Sequence, residues 1–231
     1  MKVRLLSGGA AHGLIRGLAD SFRAETSYEI DGTFSAVGAM RDRLLAGEVA
    51  DLVILTRKVV DELVASGHVA AASRGNLGVV RTGVAVRAGD PLPDISGADA
   101  LRATLRDAQG IYVPDPQRAT AGIHFAGVLV KLGVADELAD RLRIFPNGAS
   151  AMRALAQASE ARPVGCTQIT EIRSTRGVTL VGPLPAEFGL ATIYSVGVCT
   201  GAVQTEAARR LANLLTCDAS RTARIDAGFE I

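Results

Sequence analysis

The sequence predicts an α/β protein of two lobes, with mixed, mostly parallel sheets flanked by helices and a ligand cleft between the lobes. Three observations predict it. Strand-like and helix-like segments alternate over most of the chain. A turn-rich stretch, Ala88-Gly-Asp-Pro-Leu-Pro-Asp, interrupts the series. A second αβ series then follows it.

The elements follow from local pattern. Val3–Leu6 is an apolar strand, and Ala10–Ala24 is a helix with Leu14, Ile15, Leu18 and Phe22 at helical spacing. Tyr28–Phe34 is a second strand. Val37–Ala46 carries Met40, Leu44 and Leu45 on a helix that Gly47 ends. Asp51–Leu55 is continuously apolar, the pattern of a strand covered on both faces. Val59–Ser66 is a short helix ended by Gly67, and Thr82–Arg87 alternates like a strand leaving the first lobe.

In the second series, Ala98–Arg106, Ala121–Leu132, Asp136–Leu142 and Ala149–Ala158 read as helices. Ile111–Val113, Arg143–Phe145 and Val164–Gln168 read as strands between them. Val178–Leu184 and Leu190–Cys199 are two further strands, and Glu206–Leu215 a last helix. Crossings near Val80–Arg87 and Val178–Leu184 divide the chain into lobe 1, residues 1–82 plus 179–231, and lobe 2, residues 83–178.

Composition narrows the partners. With 25 Lys and Arg against 24 Asp and Glu the net charge is +1, which gives no basic field for nucleic acid. Aromatic residues make up 4% and tryptophan is absent, so platforms for stacking bases are missing. No run approaches the roughly 18 apolar residues of a membrane span. Cys166, Cys199 and Cys217 lack CxxC spacing and an adjacent histidine, so neither a metal site nor a cofactor is expected. Met1-Lys2 leads straight into the first strand, which points to the cytoplasm, or to the periplasm if a signal has been removed.

Two loops carry the functional signal. Ser7-Gly8-Gly9-Ala10-Ala11-His12 follows the first strand, and Asp115-Pro-Gln-Arg118-Ala-Thr120-Ala121-Gly follows Ile111–Val113. Each joins a strand to a helix start through small residues. A helix start exposes N–H groups without internal acceptors and a partial positive charge, a seat for an anion. Two such seats facing each other would clamp a small anion.

Around them the residue types suggest roles. His12 and His124 lie in the first turns of their helices, where imidazolium is disfavoured and a neutral ring can take a proton near pH 7. They are the candidate catalytic base and acid, with local capping or packing as the bland alternative. Arg118 offers a planar fork to a carboxylate or is an exposed loop charge. Thr120 is a natural N-cap that can also donate to a ligand. Ser7 and Ser35 lie at strand ends, where a ligand contact is expected. Glu171 is an alternative carboxylate base, or one side of a salt bridge. Tyr112 and Tyr194 are phenolic donors or packing residues.

Taken in order, several segments resemble a known group. They are Leu6-Ser-Gly-Gly-Ala-Ala-His-Gly-Leu, Phe34-Ser-Ala-Val-Gly-Ala-Met, Ala50-Asp-Leu-Val-Ile-Leu-Thr, Ala121-Gly-Ile-His, Gly165-Cys-Thr-Gln and Ala219-Ser-Arg-Thr-Ala-Arg-Ile-Asp-Ala-Gly-Phe-Glu. The series is similar to the type II periplasmic-binding-protein superfamily, in its molybdate-binding branch, which also includes aconitate isomerase. The resemblance implies ligand contacts from Ser7, Gly8, Gly9, Ala10, Ser35, Ala36, Val37, Arg118, Thr120, Ala121, Cys166, Thr167 and Gln168, the last three on the segment returning between lobes. Molybdate receptors of this branch bond the oxyanion with serine hydroxyls. Here Ala10 and Ala36 or Val37 fall at those positions, which leaves room for a ligand with a carbon skeleton. The resemblance thus implies a small anionic carboxylate as ligand and an isomerase moving an allylic proton. A non-catalytic receptor for an oxyanion or organic acid is the alternative, and only then is an ABC permease the partner.

Overall fold

The computed structural model describes residues 1–231, which fall into two compact units, Met1–Val80 with Thr192–Ile231, and Arg81–Ala191. The first unit is built on β1 (Lys2–Gly8), α1 (His12–Thr26), β2 (Glu29–Ser35), α2 (Val37–Leu45), β3 (Leu52–Thr56), α3 (Arg57–Ala65) and the first half of β4 (Gly75–Arg87). The rest of β4 enters the second unit, followed by α4 (Ala98–Asp107), β5 (Ile111–Pro114), α5 (Thr120–Lys131) and β6 (Leu142–Phe145). Next come α6 (Gly148–Ala156), β7 (Val164–Gln168), α7 (Ile169–Ser174) and β8 (Val178–Pro183). The chain then returns to the first unit with β9 (Ala191–Val198), α8 (Thr205–Thr216) and α9 (Arg221–Asp226).

In the first unit β1 pairs in parallel with β2 and β3, and β9 runs antiparallel beside β3. Strands buried on both faces need continuous apolar runs, and Leu52–Leu55 supplies one that is wholly buried. Its core gathers Leu5, Leu52, Ile54 and Val196 from strands with Leu14, Phe22, Met40, Leu63 and Leu211 from helices. A buried carboxylate ties the unit together. Asp51 accepts from Arg4 N at 2.8 Å and from Val203 N and Gln204 N at 2.7 Å, joining β1 to the turn that starts α8.

The second unit has parallel β5–β6 and β5–β7 pairs, with β4 antiparallel to both β7 and β8. Apolar side chains pack on each face of this sheet, Phe125, Val128, Leu101 and Leu105 in one cluster and Met152, Leu155 and Ile172 in another. Residues 179–191, expected with lobe 1, lie in this unit because β8 completes its ladder on β4.

Four further differences from the sequence reading have local causes. The strand expected at Thr82–Arg87 starts seven residues earlier, at Gly75, across glycines that mask its alternation. The helix expected at Asp136–Leu142 is only a single tight turn, Ala139–Arg141. Two six-residue helices, α7 and α9, are too short to show a period. Antiparallel β4, β8 and β9 make the pairing about as antiparallel as parallel.

Candidate functional site

Three helices of the first unit begin where its parallel strands end. The Gly8↔Ser35 pairing sets the loop after β1 beside the loop after β2. A tight turn, Gly9–Ala11, runs from Gly8 into α1; Ala36 precedes α2, and Thr56 precedes α3. None of these starts has a side-chain cap, and none carries an acidic residue in its first turn. Met40 N is the first in α2 to find an intrahelical acceptor, Ala36 O. The amides of Val37, Gly38 and Ala39 therefore have no acceptor within the helix, as the first turn of any helix dictates.

Side chains crowd around these amides. A β-carbon on Gly8 would lie 3.0 Å from both the Tyr194 ring and a Val37 methyl, so backbone and these two side chains meet closely. Tyr194 stands opposite Thr56 in the ladder and thus belongs to the same sheet end. The sequence reading weighed it as donor against packing without placing it there. His12 opens α1, half-buried, its ring 4.6 Å from Phe34 at 53°. Gly8, Gly9, Ala10 and His12 are thus brought together with Ser35, Ala36 and Val37.

Ser7 departs from the expectation of a ligand contact. Its side chain is fully buried and donates to Gly8 O at 2.8 Å, so its proton is committed to the turn itself. Ser35, the last residue of β2, is half-buried.

In the second unit α5 also begins without a side-chain cap. Thr120 is the first helical residue and Ala119 the cap, which corrects the expectation of a threonine cap. Asp115 shapes the loop instead, its Oδ1 accepting from Gln117 N at 2.7 Å and Arg118 N at 3.2 Å. Arg118 is exposed, Thr120 half-buried and Ala121 buried. His124 lies in the second turn, and its Nε2 is 2.7 Å from Phe188 O. A carbonyl only accepts, so Nε2 carries a proton there and only Nδ1 is left for exchange.

The helix α6 presents the opposite case. Asn147 caps it by accepting from Ser150 N at 2.9 Å. The carboxylate of Glu171, 5% exposed, accepts from the amides of Gly148, Ala149 and Gln168 and from Thr167 Oγ1 at 2.6 Å. A β-carbon on residue 148 would sit 2.0 Å from both Glu171 Oε2 and Thr167 Oγ1, so only glycine lets this carboxylate reach the helix start. Burial raises the Glu171 pKa, opposed by the bonds from Thr167 and the three amides. Glu171 forms no salt bridge there; its buried carboxyl is held by Thr167 and backbone amides.

Of the returning segment, Thr167 is consumed by Glu171. Cys166 packs in the second unit's core, and burial pushes its thiol pKa far up, so it is an apolar filler rather than a ligand contact. Gln168 differs. It is 2% exposed and neither end of its amide has a protein partner; Thr82, its ladder partner, and Thr170 also carry buried, unpartnered hydroxyls. Buried polar groups are normally paired, so this cluster is an exception in the second unit. Tyr112 is structural: its hydroxyl donates to Glu160 at 2.8 Å near the start of β5, and burial first, then Glu160, push its pKa up to about 12.

Parallel strands ending in uncapped helix starts, in two units that β4 links, define the architecture of type II periplasmic binding proteins. The chain belongs to the family of bacterial extracellular solute-binding proteins, whose model matches residues 3–230. Within that superfamily it falls in the molybdate-binding-protein-like branch. It is 31% identical over 234 residues to an aconitate isomerase from a Pseudomonas species, covering 98% of this chain and 86% of the relative. It is 25% identical over 205 residues to the molybdate-binding protein ModA of Escherichia coli, covering 87% and 78%. Among solved structures, the periplasmic molybdate-binding protein of Azotobacter vinelandii superposes with a TM-score of 0.84 over 99% of both chains, at 17% identity.

Proposed function

We propose that this protein binds a small organic carboxylate on the uncapped helix starts after β1 and β2 and isomerises an unsaturated acid of the aconitate type. One observation carries the reading: α1 and α2 begin with neither a cap nor an acid; the resemblance to molybdate receptors adds that Ala10 and Ala36 or Val37 stand where those receptors carry serines. Amide donors suit a carboxylate, and the apolar side chains leave space for carbon atoms. The 31% identity to an aconitate isomerase supports the same choice.

The chemistry asks for few parts. Moving an allylic double bond takes a proton from the methylene carbon and returns one to the former vinylic carbon, with no redox change. The intermediate carbanion spreads its charge onto a carboxylate. N–H groups already aimed at that carboxylate stabilise the charge as it develops. His12, at the start of α1, is the proposed base. His124 has the weaker claim, because Phe188 O holds one of its nitrogens.

Incubation with cis-aconitate, followed by proton NMR, tests the proposal. Conversion to the trans isomer, slowed about a hundredfold in His12→Ala, is expected; no conversion by the native protein would overturn the isomerase reading. The match to ModA favours a second reading, a receptor that binds an oxyanion unchanged. Ligand-induced thermal stabilisation separates the two, since a bound ligand raises stability by mass action. A larger shift with molybdate than with cis-aconitate would favour the receptor.

A further inference from the structure

A cavity of about 640 Å³ lies in the first unit at the far end of the sheet from the uncapped helix starts. The register fixes its place. Val198 in its wall pairs with Leu52, where β3 begins, whereas Tyr194 pairs with Thr56, where β3 ends beside those starts. One wall is a single face of α8, with Arg209, Asn213 and Thr216 at helical spacing. The facing wall is the segment Ala70–Gly75, which presents Arg74.

Its chemistry is one-sided. Two guanidinium groups line it and no Asp or Glu does. Arg74 bonds Asp61 at 2.6 Å, but Asp61 also faces Arg57 at 3.8 Å, so one carboxylate serves two cations. Arg209 pairs with Glu206 in an exposed contact at 2.9 Å, which solvent screens. The two arginines are thus the only charged side chains that line the cavity. The floor is apolar, with Val198 and Ala212, and the buried Cys199 thiol, its pKa pushed by burial and then by Asp51 up to about 12, stays neutral. The volume lies within the ~300–1,000 Å³ typical of small-molecule sites.

We propose that this cavity is a second binding site, for an organic anion with an apolar body, independent of the ligand bound at the helix starts. Arg74 and Arg209 hold the anionic end, while Val198 and Ala212 face the apolar part. The probe is 1-anilinonaphthalene-8-sulfonate, titrated into the folded protein by fluorescence with saturating cis-aconitate present and absent. Saturable one-site binding is expected, unaffected by cis-aconitate and weakened at least tenfold by Arg209→Glu. Arg74→Ala combined with Arg209→Ala should weaken it as far; if that pair fails to fold, the exposed Arg209→Glu substitution decides alone. No saturable binding, an unchanged affinity in Arg209→Glu, or displacement by cis-aconitate would each overturn the proposal.

Discussion

The start of α2 in the first unit and the start of α6 in the second offer the same backbone donors but meet opposite fates. Before α2 the chain supplies Ala36, with no cap and no acid in the first turn. Before α6 it supplies Asn147, and Glu171 reaches Gly148 and Ala149 from α7. Donor geometry alone therefore does not make a ligand site. A helix start closed by the chain's own carboxylate is structural. On the proposed reading, one left bare at the end of a parallel strand is open to a ligand, and this difference separates α1 and α2 from α6.

The sharpest way to break this contrast is to evict the resident carboxyl group. Gly148→Ala drives a β-carbon into Glu171 and Thr167, combining overpacking with a buried carboxylate stripped of donors. A loss of about 4 kcal/mol is expected, measured by denaturant unfolding. Next in size is His12→Ala, expected to lower the isomerisation rate about a hundredfold while cis-aconitate still binds within a few-fold, as read by NMR assay and calorimetry. His124→Ala is expected to cost stability by about 1 kcal/mol through the lost bond to Phe188 O, with far less effect on rate.

Glu171 also predicts a pH dependence. Its folded pKa is raised, so the folded state holds the proton more tightly than the unfolded chain. Its stabilising effect is complete below the ordinary carboxylate range and fades as pH rises through the folded value. Relative to Glu171→Gln, the native protein should therefore lose stability with rising pH; a parallel pair of stability curves would refute this. Smaller still, Ala36→Asp should make α2 resemble α6. An acidic cap is worth about 1 kcal/mol of added stability, and the same carboxylate should weaken cis-aconitate binding more than tenfold. A melting point and a binding isotherm on one variant test both halves.

Much of this was legible in the residues. Apolar runs such as Leu52–Leu55 and the Gly-rich loop after β1 report backbone demands directly, and the strand–turn–helix order around Gly8 and Ser35 follows from them. The fates of individual polar side chains were not legible. Whether Ser7 faces a ligand or its own turn depends on a rotamer, and it turned inward to Gly8 O. That Glu171 fills a helix start more than twenty residues upstream depends on how α7 packs beside α6, which no local pattern reports. Thr120 sits one residue past the cap because the loop is closed by Asp115, whose side chain does the work expected of the threonine. The orphaned amide of Gln168 follows from a ladder pairing with Thr82 that joins residues far apart in the chain.

The most direct measurement is an amide NMR titration of the native protein with cis-aconitate. Downfield movement of the backbone N–H signals of Gly9, Ala10, Val37 and Gly38, saturating together, is the predicted result, with Gly148 and Ala149 unmoved. Saturable binding that leaves those four amides in place, or that shifts Gly148 and Ala149 instead, would contradict the assignment of the open helix starts as the carboxylate site.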